Sequence, residues 1–474
     1  MKLSILLVGS IILASSLYAS SSNISNSNEF NGKNWVILCS GSKTWYNYAH
    51  GSNIYHMYQL FRARGIPDEQ IIVLHYDDLA THPRNPTPGQ VINTPTGPNV
   101  YVDVPKHYTG NDVNPENFLK VLKGDKELES RGKRVLKSGP NDHVFVVFND
   151  HGGPGLVMFP NDPLHNTELI GALKYMHQNN MYSKLVFYLD ACESGSMFAK
   201  LLPDNLNIYA VSSSAPDQDS YFWYMEKKFD SVPLSAWFII NFINHTTNND
   251  MSTVTLDRQY QYFVDTSDIV DPTQGMTKEH PGHQDSKRYG DLSIGKLTAD
   301  QFFGKLKHNI SYQPIEFNNN NNNNNVIEHA KHIDLPIYLA EQRLIDANTN
   351  SDKLRYVAKL ESLLNGRQLI DNSFVNYVKQ VIHLLSSTSV ESIVNNKLEI
   401  KNNDQNRHCY RQLVNTFHRK CFNLNQNPYV LKKLQIFVNI CNSISNSIDS
   451  EIIDKQLQNY CLEDQEFTTV TDIE

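Results

Sequence analysis

A chain of 474 residues is too long for one hydrophobic core and should divide into several structural units. With 42 Lys and Arg against 50 Asp and Glu, its formal charge of −8 argues against a nucleic-acid footprint or a polybasic membrane anchor. Hydrophobic content of 40% excludes wholesale disorder, and beyond the N-terminus no apolar run reaches the ~18 residues of a membrane span.

An apolar stretch over residues 3–14 follows Lys2, and small residues come next at Ser15, Ser16, Ala19 and Ser20. This pattern predicts a secretory signal peptide over 1–19. Asn-x-Ser/Thr acceptors begin at Asn23, Asn244 and Asn309, in keeping with that route. A polar leader over 20–33 precedes Trp35, where folded structure is expected to start. Apolar runs at 35–39, 71–75, 143–148, 185–189 and 208–211 predict buried strands. Segments near 54–64, 116–122, 168–177 and 234–243 predict helices between them, and 83–98 reads as a loop. Strands alternating with helices imply an α/β domain over 34–310, built on a mostly parallel sheet covered on both faces.

An unbroken asparagine tract at 318–325 is too polar for a core, so 311–350 reads as a linker. Beyond 351 the spacing turns helical: Leu354, Val357, Leu360 and Leu364, then Phe374, Val378, Val381 and Leu385, then Val430, Leu434, Phe437 and Cys441. A helical bundle over 351–474 is expected. Cys409, Cys421, Cys441 and Cys461 crowd this region and allow two disulfides in any of three connectivities. With no Cys-x-x-Cys pair, zinc is not expected there.

Two predicted strands end in unusual residues. One runs into Asn149-Asp150-His151-Gly152-Gly153, the other into Asp190-Ala191-Cys192-Glu193-Ser194-Gly195. Functional groups gather at the carboxyl ends of strands in open α/β sheets, so a histidine and a cysteine could face one crevice. Thiolate rather than thiol is the nucleophile, and an imidazole can take its proton. Glycines beside His151 leave backbone N–H groups free to bind a developing oxyanion. A structural cysteine and an unrelated histidine would have the same spacing.

Trp45-Tyr46-Asn47-Tyr48, Gly65-Ile66-Pro67-Asp68-Glu69-Gln70, Tyr76-Asp77-Asp78, Asn85-Pro86-Thr87-Pro88-Gly89, Asp150-His151-Gly152 and the run from Ala191 to Met197 together resemble the legumain family of asparaginyl endopeptidases. The resemblance implies a caspase-like α/β/α sandwich in which His151 and Cys192 form a cysteine-peptidase dyad and Asn47 orients the histidine. Backbone N–H groups of Gly152 and Cys192 would form the oxyanion hole, and Asp150 aligns with the family's aspartate beside the histidine, a position that a strand-end cap would equally fill. Cys39, in an apolar strand, reads as an inert core thiol. The resemblance also implies a helical prodomain that covers the site, paired as Cys409–Cys441 and Cys421–Cys461, and maturation at Asn348 or Asn350. No cofactor and no metal is called for. The partners implied are peptide substrates, the chain's own prodomain and cystatin-type inhibitors, and the destination is lysosome, vacuole or secretion.

Departures gather at the specificity pocket. Where the family places an arginine and two acidic residues, this chain has Ala49, Asp190 and, near the third position, Leu234. A lost buried hydrogen-bonding group costs about 1–3 kcal/mol, enough to weaken asparagine selectivity. Cleavage after asparagine is the first expectation and a shifted specificity or transpeptidation the next. Behind these stand a non-catalytic peptide binder and, last, a glycosylphosphatidylinositol transamidase subunit.

Overall fold

The computed structural model describes residues 30–269, 282–306, 329–386, 389–445 and 447–463. The predicted signal peptide, the asparagine tract, Asn23 and Asn309 lie outside them.

In chain order the strands are β1 (Asn34–Ser40), β2 (Ile71–Leu74), β3 (His143–Asn149), β4 (Gly152–Gly153), β5 (Leu156–Met158), β6 (Pro163–His165), β7 (Lys184–Asp190), β8 (Ile208–Ser212), β9 (Tyr221–Met225), β10 (Pro233–Ala236), β11 (Asp268–Ile269), β12 (Gly282–His283), β13 (Lys287–Gly290) and β14 (His329–Lys331). The main sheet has the order β13-β8-β7-β3-β1-β2. All neighbours in it are parallel except the edge pair β13–β8.

Its sequence explains its layers. Side chains along a strand alternate between faces, and every residue of β3 is buried. Val36, Leu38, Phe145, Val147, Val186 and Tyr188 therefore join one core, while Ile37, Cys39, Val144, Val146, Leu185 and Phe187 join the other. The first face is covered by α1 (Tyr48–Ala63) through Tyr55 and Phe61. The second is covered by α2 (Pro115–Leu122) through Phe118 and Val121; α3 (Lys126–Ser130) adds Leu128. Helix α4 (Asn166–Gln178) adds Leu173 and Met176 to that second face. Helices α5 (Trp237–Asn248) and α6 (Leu256–Asp265) return to the first with Phe242 and Phe263, and α7 (Asp300–Phe303) with Phe303. This is the α/β/α sandwich with a mostly parallel sheet that the alternating pattern implies.

Two predicted elements differ. The helix expected from 54 begins at Tyr48, because its first six residues are buried polar and small groups without an apolar stripe. The helix expected over 234–243 begins only at Trp237. Residues Pro233–Ala236 pair with β9 instead, since a continuous apolar run carries no period to separate strand from helix.

The C-terminal region comprises α8 (Leu335–Asp346), α9 (Asn350–Val381), α10 (Val390–Asn395), α11 (Asp404–Lys420), α12 (Pro428–Lys433), α13 (Gln435–Asn442) and α14 (Ser447–Glu463). Phe374, Tyr377, Phe417, Leu434 and Phe437 form its own core, which also takes in Leu156 and Met158 of β5. The first predicted stripe is not buried: Leu354 is 72% exposed and Leu364 50%. No helix among the described residues is long and apolar enough to cross a membrane.

Disulfides join Cys409 to Cys441 and Cys421 to Cys461, spanning 32 and 40 residues. Loops of that size stabilise by about 3–4 kcal/mol each in the chain-entropy model. Replacing Cys421 and Cys461 by serine should therefore shift the denaturant midpoint of the helical region by an amount equivalent to ~3 kcal/mol, measured by tryptophan-independent circular dichroism at helical wavelengths.

Candidate active site

Three parallel strands end in register: Ser40 of β1 pairs with Asn149 of β3, and Asn149 with Asp190 of β7. The segments leaving them carry Asn47, His151 and Cys192, so one end of the sheet collects all three.

After β7 the chain turns through Glu193, which is buried at φ 54°, a left-handed conformation uncommon for a residue with a Cβ. That turn fixes Cys192 at the strand end. The N–H groups of Ala191, Glu193 and Ser194 are committed to Ser213 Oγ, the Gln218 carbonyl and Ser214 Oγ. The Cys192 N–H has no acceptor among the described residues. Cys192 Sγ accepts from the Ser220 N–H at 3.3 Å and lies 3.4 Å from the Ser220 hydroxyl. Burial pushes its thiol well up, and nearby Asp219 adds to the rise, so the sulfur is protonated.

On the neighbouring strand end, His151 Nε2 donates to Asn47 Oδ1 at 2.8 Å. Asn47 Nδ2 in turn donates to the Lys43 carbonyl at 2.9 Å, which fixes the amide so that its oxygen faces the imidazole. Burial, followed by the adjacent His50, pulls the His151 pKa down to about 4. Its ring is neutral near pH 7, with Nδ1 buried and free of hydrogen bonds. His151 and Cys192 are not hydrogen-bonded to each other, yet the residue after His151 abuts Cys192: a Cβ on Gly152 would stand 2.4 Å from the Cys192 carbonyl oxygen. Only glycine permits that approach.

The helical region sits on this end of the sheet. Leu431 of α12 lies against Gly153, where a Cβ would come within 2.9 Å of its carbonyl oxygen. Tyr410 of α11 donates its hydroxyl to the Pro154 carbonyl. Lys432 of α12 reaches Asp219, next to the Ser220 that holds the sulfur, at 3.0 Å. Farther out, His165 meets Asn415 at 3.3 Å and His418 meets the Asn161 carbonyl at 2.8 Å. A buried, protonated thiol beneath a docked helix describes a dormant site.

Asp190 closes a buried polar chain. Its Oδ2 accepts from Asn149 Nδ2 at 3.1 Å, Asn149 Oδ1 accepts from Asn53 at 2.8 Å, and Asn53 Oδ1 accepts from Asn93 and Ser235 at 2.9 and 2.8 Å. Asp190 Oδ1 stays unpartnered, and burial raises the carboxyl to about 7. Ala49 is fully buried in α1 and brings no charge. Leu234 is not beside Asp190: its side chain enters the first core and only its carbonyl is used, by Ser52 and Asn93. In strand β10 consecutive side chains point to opposite faces, and Ser235 is the one that joins the polar chain.

Comparison with known proteins matches the Peptidase C13 family over residues 34–305 and the legumain prodomain over 358–461. This chain belongs to the Peptidase C13 family. Legumain from Bos taurus is 38% identical across 87% of this chain and 90% of its own length. Legumain from Rattus norvegicus is 36% identical across 87% and 89%, and the vacuolar-processing enzyme of Vicia sativa 34% across 88% and 84%. It is a legumain-type cysteine endopeptidase made as a zymogen, with its own C-terminal prodomain docked on the end of the sheet that bears His151 and Cys192.

Other expected positions fall as follows. Asn348 and Asn350 are exposed, in the connection between α8 and α9 and at the first residue of α9. Asn244 is half-buried inside α5, and Thr246 of its acceptor triplet is buried. Cys39 is buried in β1, and burial pushes its thiol well up. Sequence reasoning missed His50, Ser220 and His332, which stand beside His151 and Cys192. His50 stands two residues after the Trp45-Tyr46-Asn47-Tyr48 motif. His332 follows β14, in a stretch that reads as linker, and reaches the site because β14 pairs with β9.

Proposed function

We propose that Cys192 attacks the carbonyl of a peptide bond and that His151 takes the thiol proton through Nδ1 and returns it to the departing amine. Asn47 holds the ring from Nε2, and the N–H groups of Cys192 and Gly152 receive the oxyanion. Water then hydrolyses the acyl-enzyme. The observation that carries this reading is the 2.8 Å bond from His151 to Asn47 on a strand end whose backbone abuts that of Cys192.

Cleavage falls after asparagine. Asp190 supports this reading, because a buried carboxyl with an unpartnered oxygen two residues before the nucleophile offers an acceptor for a carboxamide N–H. Ala49 leaves the carboxamide oxygen without a cationic donor, so selectivity is weaker than an arginine would give. The exposed Asn348 and Asn350 are the maturation sites, and cystatin-type inhibitors belong among the partners. The N-terminal pattern and the name of the Vicia sativa relative support a secretory route ending in lysosome or vacuole.

Cleavage profiling of a proteome-derived peptide library with the processed protein tests this. Asparagine should be enriched before the cut, and Ala49→Arg should sharpen that enrichment by about 5- to 100-fold. No cleavage by wild-type protein, or equal cleavage by Cys192→Ala, would refute the reading.

A further inference from the structure

Three histidines from separate parts of the chain meet beside the nucleophile. The ring centres of His50 and His151 are 5.0 Å apart, those of His50 and His332 5.3 Å, and those of His151 and His332 5.8 Å. One ring nitrogen from each lies within 4.8 Å of the other two. All three side chains are buried, and His50 Nε2, His151 Nδ1 and His332 Nε2 have no hydrogen-bond partner.

The opposite nitrogens are all engaged by oxygen. His151 Nε2 meets Asn47 Oδ1, and His332 Nδ1 meets Ser220 Oγ at 3.1 Å. His50 Nδ1 meets Ser42 Oγ at 2.9 Å and stands 3.3 Å from the buried Asp150 carboxylate. An amide oxygen only accepts, which assigns the proton of His151 to Nε2; the hydroxyls facing His50 and His332 can accept in the same way. His151 Nδ1 therefore carries a lone pair with no donor to receive it, and the inward nitrogens of His50 and His332 are equally unpartnered. Histidines that bind a metal have this outer arrangement, the second ring nitrogen donating to a carboxylate, amide or hydroxyl oxygen.

We propose that His50, His151 and His332 bind a divalent cation of the zinc class, and that the bound ion silences the peptidase by occupying the lone pair of His151 Nδ1. Imidazole suits such borderline ions. Zn–N bonds of ~2.0–2.1 Å in a tetrahedron require nitrogens about 3.3 Å apart, which small ring rotations supply. The buried Asp150 carboxyl, raised to about 7 by its burial, stands 3.3 Å from His50 Nδ1. A cavity between Asp150, His151 and Asn47 on one side and Asn423, Asn425 and Gln426 of the prodomain on the other offers an approach. The silencing rests on the role proposed for His151; the ion site does not.

Equilibrium dialysis of the full chain carrying Cys192→Ala, against zinc and against cobalt(II), tests the site without thiolate or turnover. The same chain with His332→Gln, and separately with His50→Ala, should bind one ion fewer, or bind it at least about tenfold more weakly, and lose the visible absorption of tetrahedral cobalt. Circular dichroism and intact disulfides verify folding of each variant. Equal uptake by all three chains, or no uptake by the parent, overturns the site. In a second arm, zinc should inhibit the processed wild-type enzyme reversibly by chelator, and inhibit His332→Gln at least about tenfold more weakly relative to its own metal-free rate. Uptake without inhibition overturns the silencing and places the failure with the role of His151 rather than with the ion.

Discussion

Removing the imidazole of His151 is expected to lower kcat of the processed enzyme by about 10²–10⁴-fold with KM little changed, because the group acts on the proton and not on substrate binding. Asn47→Ala should lower kcat by a smaller factor, about 10²-fold. The ring survives, but it loses the acceptor that sets both its tautomer and its angle. Asn47→Asp keeps an acceptor facing Nε2 and should recover part of the loss, while raising the apparent pKa of the histidine in the pH–kcat profile. A merely structural Asn47 would not move that profile. Steady-state kinetics on one peptide substrate read all three variants.

Prodomain docking should weaken as pH falls through about 6.5, and the sign follows from His165 and His418, opposed by Glu193. Burial lowers the pKa of His165 and of His418 in the docked state. Around His165 stand Glu168 and Arg411; around His418, Asp162 and Arg419. Both histidines bind a proton less readily while docked than after release, when they regain ordinary values near about 6.5, so proton uptake accompanies departure of the prodomain. Their contribution to docking is complete above that value and is lost as pH falls through it.

Glu193 opposes them. Burial, then Asp219, hold its carboxyl well up in the docked state, with Lys432 pulling the other way, so release returns one proton. Two groups that take up protons on release outweigh the one that gives a proton back, so acid favours release. Retention of the prodomain by size-exclusion chromatography, after the linker is cut with an added protease, measures it across pH. His165→Gln with His418→Gln should abolish the acid-promoted release and reverse its slope, since Glu193 then acts alone.

Much of this architecture is written locally. Apolar runs such as His143–Asn149 declare buried strands because every position faces a core, and the residues that break the run at its carboxyl end are the ones that carry chemistry. The boundary at Trp237 was illegible for the converse reason: Pro233–Ala236 becomes a strand only because β9 lies beside it, and no local period records a partner. The exposed stripe of Leu354 and Leu364 makes a related point, since helical spacing states which face is apolar and not whether anything covers it.

At the site, Asn47, His151 and Cys192 were visible as motif and strand-end residues. Asn53, Asn93, Asn149 and Ser235 were not, because a buried chain of amides leaves no periodic trace and its meaning depends on which residues the fold brings together. His332 was hidden more deeply. It belongs to a stretch that composition marks as linker, and it gains its place only through the pairing of β14 with β9.

As the proposed nucleophile, Cys192 should become reactive once the prodomain leaves, and the rate of its alkylation measures that directly. With a peptidyl chloromethyl ketone and mass spectrometry of the modified peptide, acid-treated and processed protein should react at Cys192 at least about 10²-fold faster than the intact zymogen, and His151→Ala should remove that gain. Modification at Cys39, or equal rates at Cys192 in zymogen, processed enzyme and His151→Ala, would contradict the account.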